Sequence, residues 1–212
     1  MSPKVSDIYK QQKKEQILEA AKRAFIRKGY ELTTMKDIID ESGLSRGGVY
    51  LYFSSPEEVF LEIMKANDSN LIAMVQTLGM DGRTVWEEIL ELADKIKKEL
   101  LFLQSGIGPV IFEYFMTCKR NDEVQNLLNS RFANALECLM ALINTGIKLN
   151  EFNPIFPTDE ISIFLLTFLD GLEINLINHG ADKIKLDSQM NQLILYLKNT
   201  LMITENNENR KG

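Results

Sequence analysis

Residues able to do covalent chemistry are scarce in this chain of 212 residues. It holds one histidine, His179, and two cysteines, Cys118 and Cys138, far apart and without metal-ligand spacing. An enzyme would need a cluster of titratable groups that these positions do not supply, so neither metal nor cofactor is expected. His179, in Asn-His-Gly at a predicted helix end, suits the helix dipole and its terminal carbonyls. The stretch Arg46-Gly47-Gly48-Val49-Tyr50 offers chemistry of another kind. A guanidinium and a phenol can recognise bases and phosphates. Helical spacing turns Arg46, Gly47 and Tyr50 to one side, while Val49 and Phe53 face the opposite way. Each glycine costs a helix interior about 1 kcal/mol against alanine. The pair reads as access, a bare backbone able to approach a ligand closely, or else as a poor helix held by its neighbours.

The elements around that stretch are helical, and no segment alternates as a strand. An all-α protein of about nine helices is expected. The first runs from about residue 10 to Lys28, with Ile17, Leu18, Ala21, Ala24 and Phe25 on one face and Gly29 as its stop. Thr33 or Thr34 caps a short helix that ends at Ser42-Gly43, and Ser45 caps the glycine-bearing one. Ser55-Pro56-Glu57-Glu58 combines a cap, a proline at the first helical position and a reciprocal glutamate, opening a helix to about Leu78. Further helices are predicted over 84–103, 109–119, 122–149, 159–178 and 187–202, parted by SGIG, KRND, NEFNPIFP and HGADKIK. Residues 1–55 form one domain, with its reading unit at 34–53. Residues 56–80 make a connecting helix and 81–204 a second domain, and the tail 205–212 reads as disordered.

Charge divides along the same line. Residues 1–53 carry ten basic against seven acidic side chains, +3, and residues 54–212 carry fourteen against twenty-three, −9, making the −6 of the whole. That asymmetry suits a basic contact module on an acidic body. The amino end lacks an apolar signal core and no apolar run approaches the roughly 20 residues of a membrane span, so a soluble cytoplasmic protein is expected. The cysteines then read as free thiols, with a disulfide the alternative.

Two short helices joined through Gly43 make a helix-turn-helix, a unit whose second helix enters the DNA major groove. Thr34-Met-Lys-Asp-Ile38-Ile39-Asp-Glu-Ser-Gly43-Leu44-Ser45-Arg-Gly47-Gly-Val-Tyr50-Leu-Tyr52-Phe53, followed by Glu57-Glu58-Val59, resembles the pattern of the tetracycline-repressor (TetR) family of bacterial transcription regulators. The match covers about 50 residues; the rest resembles the family in length and helical content alone. The resemblance implies that Thr34 meets a phosphate, that Ser45 caps and contacts, and that Arg46 and Gly47, with Gly48 beside them, face base edges. It implies that Tyr50 and Tyr52 give hydroxyls to phosphates, although periodicity sets Tyr52 beside the core. Ile39 and Ser42 stand where the family usually has alanine. Pro56 replaces its common lysine and removes a cation and an N–H from a phosphate contact that Ser55 can still serve. Lys10, Lys13 and Lys14 either add phosphate contacts or form a solvated face.

The later helices suggest two further roles. Ile161, Phe164, Leu165, Phe168 and Leu172 form one stripe, and Met190, Leu193, Ile194, Leu197 and Leu201 another. They pack either within the chain or against a second copy, and the resemblance implies a homodimer reading a palindromic duplex. Phe102, Phe112, Phe115, Met116, Phe132 and Met140 are either core or the lining of a pocket for an unidentified apolar small molecule. The resemblance thus implies a dimeric repressor released from DNA by such a ligand. A helical module that binds another protein through its basic end is the competing reading.

Overall fold

A computed structural model of the chain describes residues 7–65, 82–103, 105–118 and 121–203. Among these residues all regular structure is helical: α1 (Asp7–Lys28), α2 (Met35–Ser42), α3 (Arg46–Tyr50), α4 (56–65), α5 (Val85–Leu103), α6 (Gly108–Cys118), α7 (Asp122–Lys148), α8 (Thr158–His179), α9 (Ala181–Ile184) and α10 (Leu186–Thr200). The expected course of α4 beyond 65, most of the proposed connecting segment and the tail from 204 lie outside the described residues. Two compact units emerge, residues 1–69 with 105–124, and residues 70–104 with 125–212. The expected segments 1–55, 56–80 and 81–204 each run continuously along the chain, whereas the two units do not, because α6 belongs with the first unit. Among the described residues no single helix is long and apolar enough to cross a membrane.

In the first unit, local signals set the helix ends. The Gly29 N–H closes α1 on Phe25 O at 2.8 Å with φ +82°, and Gly43 ends α2 with φ +66°. Left-handed backbone of this kind favours glycine. Thr34 and Asp37 form a reciprocal box at the start of α2. At α4, Ser55 Oγ accepts the Glu58 N–H as expected, but the Glu58 carboxylate takes the N–H and hydroxyl of Ser54, one residue before the cap. Ile17, Ala20, Ala21, Ala24 and Phe25 of α1 are fully buried, as are Val59, Phe60 and Ile63 of α4.

The first unit closes on aromatic rings. Tyr30, Phe60, Tyr114 and Phe25 stack edge-on or tilted with centroids about 5 Å apart, among them Tyr30–Tyr114 at 4.7 Å and Phe25–Phe60 at 5.1 Å. Such pairs add to the area they bury. Beside them the Glu113 carboxylate of α6 accepts the N–H groups of Tyr30 at 2.9 Å and Glu31 at 3.1 Å. A Cβ on Gly29 would stand 2.8 Å from that carboxylate, so the glycine leaves room for it as well as ending α1. Tyr114 donates its hydroxyl to Glu57 at 3.2 Å. Burial first, and the Glu57 charge second, push the phenols of Tyr30 and Tyr114 well above the ordinary tyrosine range.

The second unit packs α5, α8 and α10 with the later turns of α7 around aliphatic side chains, among them Val85, Leu142, Ile143, Ile161, Leu165, Leu172, Leu193 and Leu197. Burying each is worth about 1.5–3 kcal/mol. After α7, Asn150 turns the chain with φ +58° and Glu151 drops into the interior, where it accepts the Val85 N–H at 2.7 Å. The Glu151 carboxylate thereby caps α5. The Cδ2–Cε2 edge of the Phe152 ring lies against Gly146, where any Cβ would overlap it at 2.1 Å. The segment HGADKIK, expected as a turn, instead holds the single helical turn α9, ended by Lys185 at φ +53°.

Candidate nucleic-acid interface

Five residues make up α3, and their caps define what they expose. Ser45 opens the helix by accepting the Gly48 N–H at 3.2 Å. Val49 is fully buried and Phe53 nearly so, which anchors the helix by one side. Arg46 and Tyr50 stand exposed on the other, with the guanidinium carbon 5.4 Å from the phenol centroid. The two glycines differ. A Cβ on Gly47 would meet nothing within 4 Å, whereas one on Gly48 would press on Ser45 Oγ at 3.2 Å. Gly47 therefore keeps an outer face bare, and Gly48 keeps a cap intact.

Around α3 the other sequence-derived candidates are placed unevenly. Thr34 is exposed at the start of α2, but its hydroxyl is engaged twice. It accepts the Asp37 N–H at 3.3 Å and donates to Asp37 Oδ2 at 2.7 Å. Lys28 at 2.7 Å and Thr34 hold the Asp37 carboxyl far below its usual range. Tyr52 is half-buried, between its two expected settings, and Ser55 is half-buried at the start of α4. Lys10 lies loosely near Asp7 at 3.8 Å. Lys13 donates to Gln16 and sits over the Tyr9 ring, and Lys14 turns to Glu62 of α4 rather than outward.

The positive balance of the amino end is thus largely consumed internally. Arg23 and Arg27 share Glu41, whose carboxyl they hold below its usual range, and Lys22 pairs with Glu19. Arg46 and Lys36 are exposed and have no acidic partner among the described residues. Lys36, in the first turn of α2 next to Thr34, was not picked out from the sequence; its position at N2 of a capped helix is the signal that could have found it.

Elsewhere, residues expected to act together are divided between the two units. Phe112, Phe115 and Met116 belong to α6 in the first unit, whereas Phe102, Phe132 and Met140 belong to the second. Phe115 is buried, but Phe102 is 73% exposed and Phe112, Met116 and Phe132 are exposed too. Met140 lines an open hollow of about 480 Å³ along one side of α7. A narrow cavity of the second unit, about 50 Å³, is lined by aliphatic side chains and one methionine, including Ile89, Leu92, Leu139, Leu165, Met190 and Leu193.

Of the two settings open to the α8 and α10 stripes, most of their residues take the one within the chain. Ile161, Leu165, Leu172, Met190, Leu193, Leu197 and Leu201 are each less than 8% exposed and pack in the second unit's own core. Phe164, Phe168 and Ile194 keep part of their surface. The outward apolar residues include Ile163, Phe164 and Ile174 of α8 with Leu195 of α10, and Phe168 is half-buried beside them; the Phe164 and Tyr196 ring centroids lie 4.4 Å apart, and a Cβ on Gly171 would meet nothing within 4 Å.

Residues 17–63 match the family model for bacterial regulatory proteins of the tetR family, and residues 88–187 match that for the tetracyclin repressor-like C-terminal domain. The chain is 39% identical over 206 residues to the uncharacterised HTH-type transcriptional regulator YfiR of Bacillus subtilis, covering 97% of this chain and 100% of the relative. It is 26% identical to the HTH-type transcriptional regulator QacR of Staphylococcus aureus, over 86% of this chain and 96% of that one. Among solved structures, Salmonella enterica GusR superposes with a TM-score of 0.72 at 19% identity, covering 94% of this chain and 99% of that one. Bacillus subtilis FadR in complex with stearoyl-CoA superposes at 0.64 and 21% identity, over 86% and 96%.

Proposed function

The chain belongs to the TetR family of bacterial transcriptional regulators, and from that premise we propose that it is a homodimeric, cytoplasmic repressor that binds a palindromic operator and leaves it when an apolar small molecule binds the second unit. The observation that carries the reading is the outer side of α3, where Arg46 and Tyr50 flank a bare Gly47 with Val49 buried behind them. Arg46 is set to read base edges, and the Tyr50, Tyr52, Ser45 and Ser55 hydroxyls are candidates for phosphates. At Thr34 the hydroxyl is spent on Asp37, so a phosphate there would be met by the helix-start amides and Lys36. Relatives described as repressors, such as AcnR of Corynebacterium diphtheriae at 31% identity, support the direction of control.

Supporting the dimer are the outward residues Ile163, Phe164, Ile174 and Leu195, with Phe168 half-buried beside them and Gly171 allowing close approach. Two copies would present their α3 helices to half-sites about 34–36 Å apart or a multiple of that. For the ligand, the aliphatic cavity of the second unit favours an apolar compound, as does the likeness to a regulator solved with stearoyl-CoA. The chain enters α6 from α5 and leaves it into α7, so movement of those helices on ligand binding would reach the first unit through α6.

Selection of bound sequences from a random duplex pool tests the central reading. A two-fold-symmetric site is expected, with Arg46→Ala weakening binding to it by about 1–3 kcal/mol and relaxing one base position per half-site. Sedimentation of Phe164→Glu checks the assembly, with monomer the expected product. Failure to enrich any duplex would end the DNA-binding proposal, and an intact Phe164→Glu dimer would move the interface elsewhere.

A further inference from the structure

Arginines 23, 27 and 83 in the described residues are held by carboxylates, but Arg46 is held by a ring. It occupies the first position of α3 and Tyr50 the last, four residues on, so the guanidinium lies over the phenol with Gly47 adding no side chain between them. No ion pair has to be broken before this arginine meets a base. A guanidinium is a planar fork, and reading a guanine through its two acceptors requires that plane to be oriented as well as placed. Attraction to an aromatic face narrows the directions the guanidinium can take and, unlike an ion pair, ties up none of its donors in a hydrogen bond. A hydroxyl at the far edge of the ring contributes nothing to that restriction.

We infer that the Tyr50 ring is a positioning residue for base readout by Arg46, a role separable from any phosphate contact made by the Tyr50 hydroxyl. The inference rests on the assignment of α3 as the DNA-reading helix. Arg46 and Tyr50 then act as one unit that sets the preference at a single base pair of each half-site, a guanine by the geometry of the fork.

The test measures base preference, as the ratio of affinities for the selected duplex and for one changed at the Arg46 position, in full-length protein. Arg46→Ala should remove a preference of about tenfold or more. Tyr50→Leu should lower it about two- to fivefold, as expected for a stacked cation at an exposed site. Tyr50→Phe should preserve it, even if overall affinity and its salt dependence fall. In the Arg46→Ala background, Tyr50→Leu should change the preference no further. The inference is overturned if Tyr50→Leu keeps the full preference, if Tyr50→Phe loses as much as Tyr50→Leu, or if the two effects multiply in the double variant. Thermal melts guard against misfolding, and Val49→Ala serves as the destabilised control that should lower affinity for both duplexes alike. An Arg46→Ala protein with undiminished preference would mean instead that α3 does not read bases through this residue.

Discussion

Replacing Gly47 and Gly48 singly by alanine separates two reasons for glycine in one helical turn. Both substitutions raise helix propensity by up to about 1 kcal/mol. At Gly47 the new methyl meets nothing within 4 Å, so most of that should appear as stability, about 0.5–1 kcal/mol. In a chain of this length the melting temperature would rise by about 1–4 °C. At Gly48 the methyl lies 3.2 Å from Ser45 Oγ, the acceptor of the Gly48 N–H. Displacing that hydroxyl forfeits a cap worth about 1 kcal/mol, so the two effects should cancel to within about 0.5 kcal/mol. Melts followed by circular dichroism supply the stabilities, and fluorescence anisotropy with the selected duplex supplies the affinities. The more stable Gly47→Ala should be the weaker DNA binder, because its methyl stands on the outer side of α3. A Gly47→Ala protein binding as well as the parent would show that this side does not approach DNA closely. Equal stabilisation by both substitutions would refute the account of the cap.

Glu113→Ala strips the acceptor from the Tyr30 and Glu31 N–H groups, and urea denaturation should show a loss of about 1–3 kcal/mol. In a titration of the 295 nm absorbance, two of the six tyrosines, Tyr30 and Tyr114, should ionise well above the ordinary value near 10. Because their folded pKa values are raised, the stability they contribute is complete below that value and falls as pH rises beyond it. Asp37, Glu41 and Glu58 have depressed folded values, so their contribution is complete above the ordinary carboxylate range near 4 and is lost as pH falls below it. Asp37→Asn should flatten that acid limb in melts between pH 6 and 2.

Helix ends were legible because their causes are local. Thr34, Ser45, Ser55, Gly29 and Gly43 act within four residues, and each sits where its type demands. What escaped depends on distant chain. Nothing in a lysine announces the left-handed turn at Lys185 that ends α9. Helix α8 is apolar on two sides, and periodicity cannot say that Leu165 and Leu172 meet the chain's own core while Phe164 stays at the surface. The aromatic residues of the middle helices looked like a lining by type alone, yet the cavity is walled by leucines and isoleucines contributed by four helices. On α3 the spacing separated the buried Val49 from the exposed Arg46 and Tyr50, but not the different duties of adjacent glycines.

The return of α6 to the first unit bears on how such regulators can be recombined. A cassette excised after residue 69 would leave Tyr114 and Glu113 behind. The rings of Phe25, Tyr30 and Phe60 would then be bared to solvent and the end of α1 left without its acceptor. Transplanting the reading head onto another body therefore takes three seams, after residues 69, 104 and 124, and a chimera spliced at the first alone should be an aggregation-prone protein before it is a regulator of new specificity.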